Sequence, residues 1–208
     1  MKRLFAAGLF TVCAAGVLAA QAPPGWMMRV DRSTMASDPD AGGTIRFMAM
    51  GQALHAITPQ AAVFWRPADS ASGAFTLKGT FKLNEPSGHT NYYGLVFGGS
   101  GLEGADQRYN YFLIAQDGTW LVKRRDGAAT SNIANKASSD AVRKPGANGQ
   151  SVNTLEVRVA ADTVDFVVNG TVVHSTPKSG PVATTDGLYG MRVNHLLNVE
   201  VTDFGLAR

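Results

Sequence analysis

Five side chains in this 208-residue sequence have the chemistry to hold a polyhydroxylated ring: Tyr92, Trp120, Arg124, Arg192 and Asn194. Aromatic faces stack on sugar rings, and planar polar groups exchange hydrogen bonds with hydroxyls. In a strand, side chains alternate between faces, so parity predicts which residues project together. Trp120 and Arg124 share parity and should emerge on one face. Arg192 shares parity with Gly190 and Asn194, and Tyr92 with Gly94. Small glycines beside large polar groups suit a shallow concave surface. Tyr93, Leu95 and Phe97, on the opposite parity, read as core. The competing reading makes "WLVKRR" an exposed strand of ordinary charge, with Trp120 in the core.

Proton and metal chemistry has thinner support. Histidine is the side chain that ordinarily changes charge near neutral pH. His195 in "RVNHLLNVEV" and His89 in "EPSGHTNYYG" are the candidates among four histidines, none in a metal-ligand spacing. "DPDAGG" at 38–43 offers oxygens for calcium but lacks the ligand series of a calcium loop. A plain turn is expected there, with no metal and no cofactor. Glu156, Asp165 and Glu200 are isolated strand acids opposite apolar residues, so they read as solvated.

The elements that must position these groups are strands. In "LEVRVAADTVDFVVNGTVV", Leu155, Val157 and Val159 alternate with Glu156 and Arg158, and Val164, Phe166 and Val168 follow. A period of two marks strands with one buried face. Asn169-Gly170 between apolar runs predicts a tight hairpin, because both turn residues tolerate positive φ. "AFTLKGTFKL", "NYYGLVFGG", "YNYFLIAQDGTWLVKRRDG" and "GLYGMRVNHLLNVEVTDFGL" repeat this pattern, with turns at Asp117-Gly118 and Asp126-Gly127. Near the end, Val199 and Val201 are odd-numbered, but Phe204 and Leu206 are even; a bulge near Thr202-Asp203 would reconcile them. "WMMRVD", "TIRFMAM", "ALHAI" and "AAVFW" are shorter strands, "RPADSASG" a loop, and 130–150 one short strand plus a long loop. No long amphipathic helix is expected. The fold class is all-β, a sandwich of two antiparallel sheets.

The order of these segments resembles the concanavalin A-like lectin/glucanase jelly roll. It is most similar to the branch with the 3-keto-disaccharide hydrolase domain and the laminin-G-like modules. The similarity spans roughly Ala53 to Leu206 and rests on the "V-x-x-x-V-N-G" hairpin and the closing "D-G-x-x-G-x-R-V" strand. It implies sugar binding or glycoside cleavage, usually on the concave sheet. It also implies a role for His195 as a base, should the protein be an enzyme, since its place is similar to a histidine on the family's closing strand. The glucanase carboxylate motif Glu-x-Asp-x-x-Glu, which sets two acids on one face for retaining hydrolysis, is absent.

The N-terminus, "MKRLFAAGLFTVCAAGVLAAQAPP", has a basic start, an apolar run and small residues before Pro23. That is the layout of a secretory signal peptide over 1–22, leaving 23–208 as a single sandwich domain, periplasmic or extracellular, with no membrane span. Cys13 is the lone cysteine and lies in that leader, so disulfides and thiolate chemistry are excluded from the remainder. Lys plus Arg number 19 against 16 acids; without Lys2 and Arg3 the balance is 17 against 16. A near-neutral chain does not suggest nucleic-acid binding. The expectation is an exported, non-catalytic carbohydrate-binding protein with a glycan partner. A 3-keto-glycoside hydrolase and a laminin-G-like protein-interaction module are the alternatives.

Overall fold

The computed structural model describes residues 22–31 and 37–207. The expected leader, with Cys13, therefore lies outside the described residues except for Ala22. Fourteen strands among the described residues form two seven-stranded antiparallel sheets. The first sheet runs, edge to edge, β1 (Met27–Val30), β4 (Ala62–Ala71), β13 (Gly187–Val193), β6 (Tyr92–Ser100), β7 (Arg108–Ala115), β8 (Thr119–Asp126) and β9 (Ala129–Ser138). The second runs β12 (Thr171–Pro177), β11 (Thr163–Val168), β10 (Ser151–Val159), β5 (Phe75–Glu85), β14 (Leu197–Leu206), β3 (Ala53–Thr58) and β2 (Arg46–Met50). This is the all-β sandwich that the alternation predicts. The described helical structure is a single 3-10 turn, Gly180–Val182.

Period-two patterning closes the core between the sheets. Leu77, Phe81 and Leu83 of β5 and Leu155 and Val157 of β10 are fully buried. They belong to one apolar cluster with Phe64, Tyr93, Leu95, Phe97, Phe112, Met191 and Val193 of the first sheet. Burial of this apolar surface is the main drive for the sandwich.

Local irregularities sit where backbone chemistry demands them. Asn169 (φ 50°) and Gly170 (φ 84°) form the predicted β11–β12 turn. The β5–β14 register shifts between Thr202 and Gly205, with Asp203 at φ 51°, which is the bulge that the change of parity requires. Two segments differ from expectation. "RPADSA" belongs to β4 rather than to a loop. Its pairing with β13 lapses between Trp65 and Ser70, so Pro67 meets no ladder bond, and Arg66 pairs with Asp69 at 2.6 Å. Proline is tolerated in strands at such bulges. Residues 129–138 form a full ten-residue strand, not a short one; as the sheet edge, β9 is polar on both faces and buries only Ala134, which suits an edge exposed to water.

Candidate functional site

The outer face of the first sheet, turned away from the second, is where polar groups converge. Arg192, Gly94, Leu113 and Leu121 lie in register across β13, β6, β7 and β8. One step along the sheet Tyr111 pairs with Lys123; one step the other way, Asn194 N donates to Tyr92 O at 2.9 Å. The apolar residues on this face, including Val63, Trp65, Val96, Tyr109, Tyr111, Leu113 and Leu121, form a cluster separate from the inter-sheet core. Gly94 keeps the strands close: at φ +157°, a Cβ would come within 2.3 Å of Phe112 O.

A charged network fixes the floor. Asp31 accepts hydrogen bonds from Arg192 and, at 2.8 Å, from Arg125. Arg192 also donates to Tyr109 Oη at 3.0 Å and Asn194 Oδ1 at 3.2 Å, and lies over the Tyr111 ring, 5.6 Å from its centroid. Burial opposes the charge on Asp31, but Arg192 and Arg125 outweigh it and hold the carboxyl below its usual value. Burial likewise opposes charge on Arg192, yet Tyr109, Asp31 and Tyr111 raise its pKa, so the guanidinium stays charged. Burial pushes the Tyr111 phenol up to about 12, so it remains a neutral hydroxyl.

Above this floor opens a polar cavity of about 230 Å³, lined by Asp38, Thr90, Asn91, Tyr92, Tyr111, Leu113, Leu121, Lys123, Arg192 and Asn194. A shallower groove of about 560 Å³ shares Thr90, Tyr92, Leu121 and Lys123 and continues over Asn132, Asn135 and Lys136. The Tyr92 hydroxyl lies 3.0 Å from Thr119 Oγ1, and Lys136 Nζ sits 5.9 Å from the Tyr92 ring centroid. The Tyr92 hydroxyl and Asp117 together raise the pKa of Lys136. A depression of about 450 Å³ lies elsewhere, beside Arg46, Glu85 and Asn198; its lining is mostly small and apolar.

At the rim of the polar cavity, three connections meet. Asp38 Oδ1 lies 2.7 Å from His89 Nε2 and 3.0 Å from His195 Nε2. The two Nε2 atoms are 3.1 Å apart, and His195 Nδ1 is 3.2 Å from Asp40 Oδ1. Asp38, His89 and His195 are the described residues whose donor atoms converge closely enough to share a metal ion. Both acids of "DPDAGG" thus face histidines. Gln116 Nε2 donates to the carbonyls of Ser87 and His89 at 2.8 and 2.6 Å, which fixes the loop carrying His89.

Of the residues singled out from sequence, Tyr92, Arg192 and Asn194 come together in the cavity, and His195 lies at its rim, 4% exposed. Trp120 and Arg124 do not join them. They share parity as expected, but that parity points to the other side of β8. Trp120 is 6% exposed within the inter-sheet core, and Arg124 donates to Pro181 O at the end of the sandwich. Tyr111 and Lys123 were missed, and Asp38 enters the sequence reading only as a possible calcium oxygen of "DPDAGG". Tyr111 and Lys123 sit on the parity opposite Trp120, a signal present in "YNYFL" and "WLVKRR". Asp38 has no such signal, because it arrives from a loop far away in sequence.

No family model and no curated relative matches the chain. Solved structures do. The carbohydrate-binding module CBM66 from Bacillus subtilis aligns with a TM-score of 0.63 at 11% identity, over 88% of this chain and 96% of that one. The Emp46p carbohydrate-recognition domain aligns at 0.58 with 13% identity, over 88% and 87%. An endo-β-1,3-glucanase from Pyrococcus furiosus aligns at 0.52 with 11% identity, over 74% of each chain. The protein therefore has a concanavalin A-like jelly-roll sandwich fold of two antiparallel sheets. At these identities, the likeness establishes the fold alone.

Proposed function

We propose that this protein is an exported carbohydrate-binding module that holds a sugar, without turning it over, on the outer face of its first sheet. The observation that carries the reading is the cavity in which Arg192, Asn194, Asn91 and Lys123 converge beside the Tyr92 and Tyr111 rings. Planar donors and acceptors flanked by aromatic rings are what hydroxylated rings require. The cavity is below the roughly 300–1,000 Å³ common for drug-sized ligands, so it fits one sugar unit, with further units along the groove toward Asn132 and Lys136. Support also comes from the fold shared with structures named as a carbohydrate-binding module and a carbohydrate-recognition domain.

The 3-keto-glycoside hydrolase reading has one observation in its favour: a histidine paired with a carboxylate, His195 with Asp40, beside the cavity. A general base must reach the proton it removes. His195 Nε2 is instead directed at His89 and Asp38, and the ring is buried. The binding reading therefore fits better.

A panel of glycans and one 3-keto-disaccharide separates the two. Wild type should retain a glycan and release no product from the 3-keto sugar. Lys123→Ala should weaken retention about tenfold or more, the loss expected for a hydrogen bond to a charged group. Arg124→Ala, on the far side of β8, should leave it unchanged. Turnover of the 3-keto-disaccharide by wild type would replace this reading with the hydrolase.

A further inference from the structure

We infer that Asp38, His89 and His195 form a binding site for one divalent transition-metal ion at the rim of the cavity, a site that takes zinc or its first-row neighbours in preference to calcium. The three donor atoms lie 2.7, 3.0 and 3.1 Å from one another. Ligands around an ion with bonds of about 2.1 Å are separated by about 3.0 Å at right angles and by about 3.4 Å at tetrahedral angles, so these donors need to spread by only a few tenths of an ångström. The triangle is therefore close to the size of one face of a coordination sphere.

The far side of His195 fits as well. Asp40 Oδ1 lies 3.2 Å from Nδ1, which leaves Nε2 as the ring nitrogen that faces Asp38 and His89. A carboxylate on the far nitrogen of a metal-bound histidine is also the usual device for orienting the ring and raising its basicity. Two imidazoles with one carboxylate suit zinc, cobalt, manganese or iron rather than calcium, which takes six to eight oxygens.

Access is provided as well. The His89 and Asp38 side chains are 45% and 35% exposed, and Asp38 also lines the sugar cavity. The protein offers three ligands, so the remaining positions fall to water or to a ligand group. The three ligands come from connections distant in sequence, and an ion here would cross-link them. This inference does not depend on the sugar reading.

Calorimetric titration of the tag-free chain, after dialysis against a chelator, tests it with zinc, manganese and calcium ions. The expected result is uptake of one zinc ion per chain at micromolar concentration, weaker uptake of calcium, and a thermal midpoint that rises with zinc. Asp38→Ala and His89→Ala should each weaken zinc binding at least tenfold and abolish the rise. Asp40→Asn should weaken it about 10–100-fold, as loss of an outer carboxylate does. His55→Ala, whose ring contacts Asn198 on β14, should change nothing. Circular dichroism confirms that each variant is folded. No uptake by wild type, a preference for calcium, or uptake indifferent to both Asp38→Ala and His89→Ala would overturn the inference.

Discussion

Asp31 connects two arginines to the floor of the cavity, and its environment makes a clear prediction about pH. Arg192 and Arg125 hold its carboxyl below the ordinary value in the folded state. The unfolded chain binds that proton more readily, so the stability Asp31 contributes is present above its unfolded pKa, about 3.9. It is lost as pH falls through the lower folded value. Acid titration of the thermal midpoint should show this loss below about pH 4, and Asp31→Asn should flatten the curve. At neutral pH, Asp31→Ala leaves Arg192 charged and buried, and chemical denaturation should register a cost of about 3–5 kcal/mol. The same scale shows where sequence reading succeeds. Strand parity correctly grouped Arg192 with Asn194, and it separated Tyr92 from the core residues Tyr93, Leu95 and Phe97. It grouped Trp120 with Arg124 but could not say which face of β8 points inward. Alternation fixes relative orientation, while the inward side depends on where the partner sheet lies. Trp120→Ala should therefore act on stability, by about 3–5 kcal/mol for a deleted core aromatic, and not on ligand contact.

Among the elements, the β11–β12 hairpin carries more than its turn. Gly170 at φ +84° has open space around a would-be Cβ, so the penalty of Gly170→Val is backbone strain alone. Strained residues of this kind cost about 1–3 kcal/mol; an unchanged thermal midpoint would deny the tight turn. Asn169 does a second job. Its Oδ1 accepts from Thr154 N at 2.9 Å, and its Nδ2 donates to Ala141 O and Asn153 Oδ1 at 2.8 Å each. Asn153 in turn bonds both N and O of Arg143. Asn169→Gly keeps the turn but removes these bonds, so hydrogen exchange should accelerate around 139–150 while the hairpin amides stay protected. The hairpin, the turns and the β14 bulge were legible because each is a local pattern of parity and of residues that accept positive φ. The extents of β4 and β9 were not. Polar, proline-containing segments read as loops in isolation, and only their neighbours, β13 and β8, supply the pairing that makes them strands.

For the molecule as a whole, the sandwich was legible from the succession of strands, but the candidate site was legible only in part. Tyr92 and Arg192 lie on strands and Asn194 directly follows β13, so periodicity still positions them. Asp38, His89 and His195 lie on three connections that meet only once both sheets are assembled, and no spacing along the chain records that meeting. The proposed export adds a test at this scale: the exported product should begin between Ala20 and Pro23, and N-terminal sequencing that found an intact Met1 would refute it. The central claim is that the outer face of the first sheet binds carbohydrate. Its most direct test is retention on a glycan array by wild type and Lys123→Ala, with Arg124→Ala as the control from the opposite side of β8. The account predicts a retained glycan whose signal falls about tenfold or more in Lys123→Ala and persists in Arg124→Ala. No glycan retained by wild type, or one retained equally by Lys123→Ala, would contradict it.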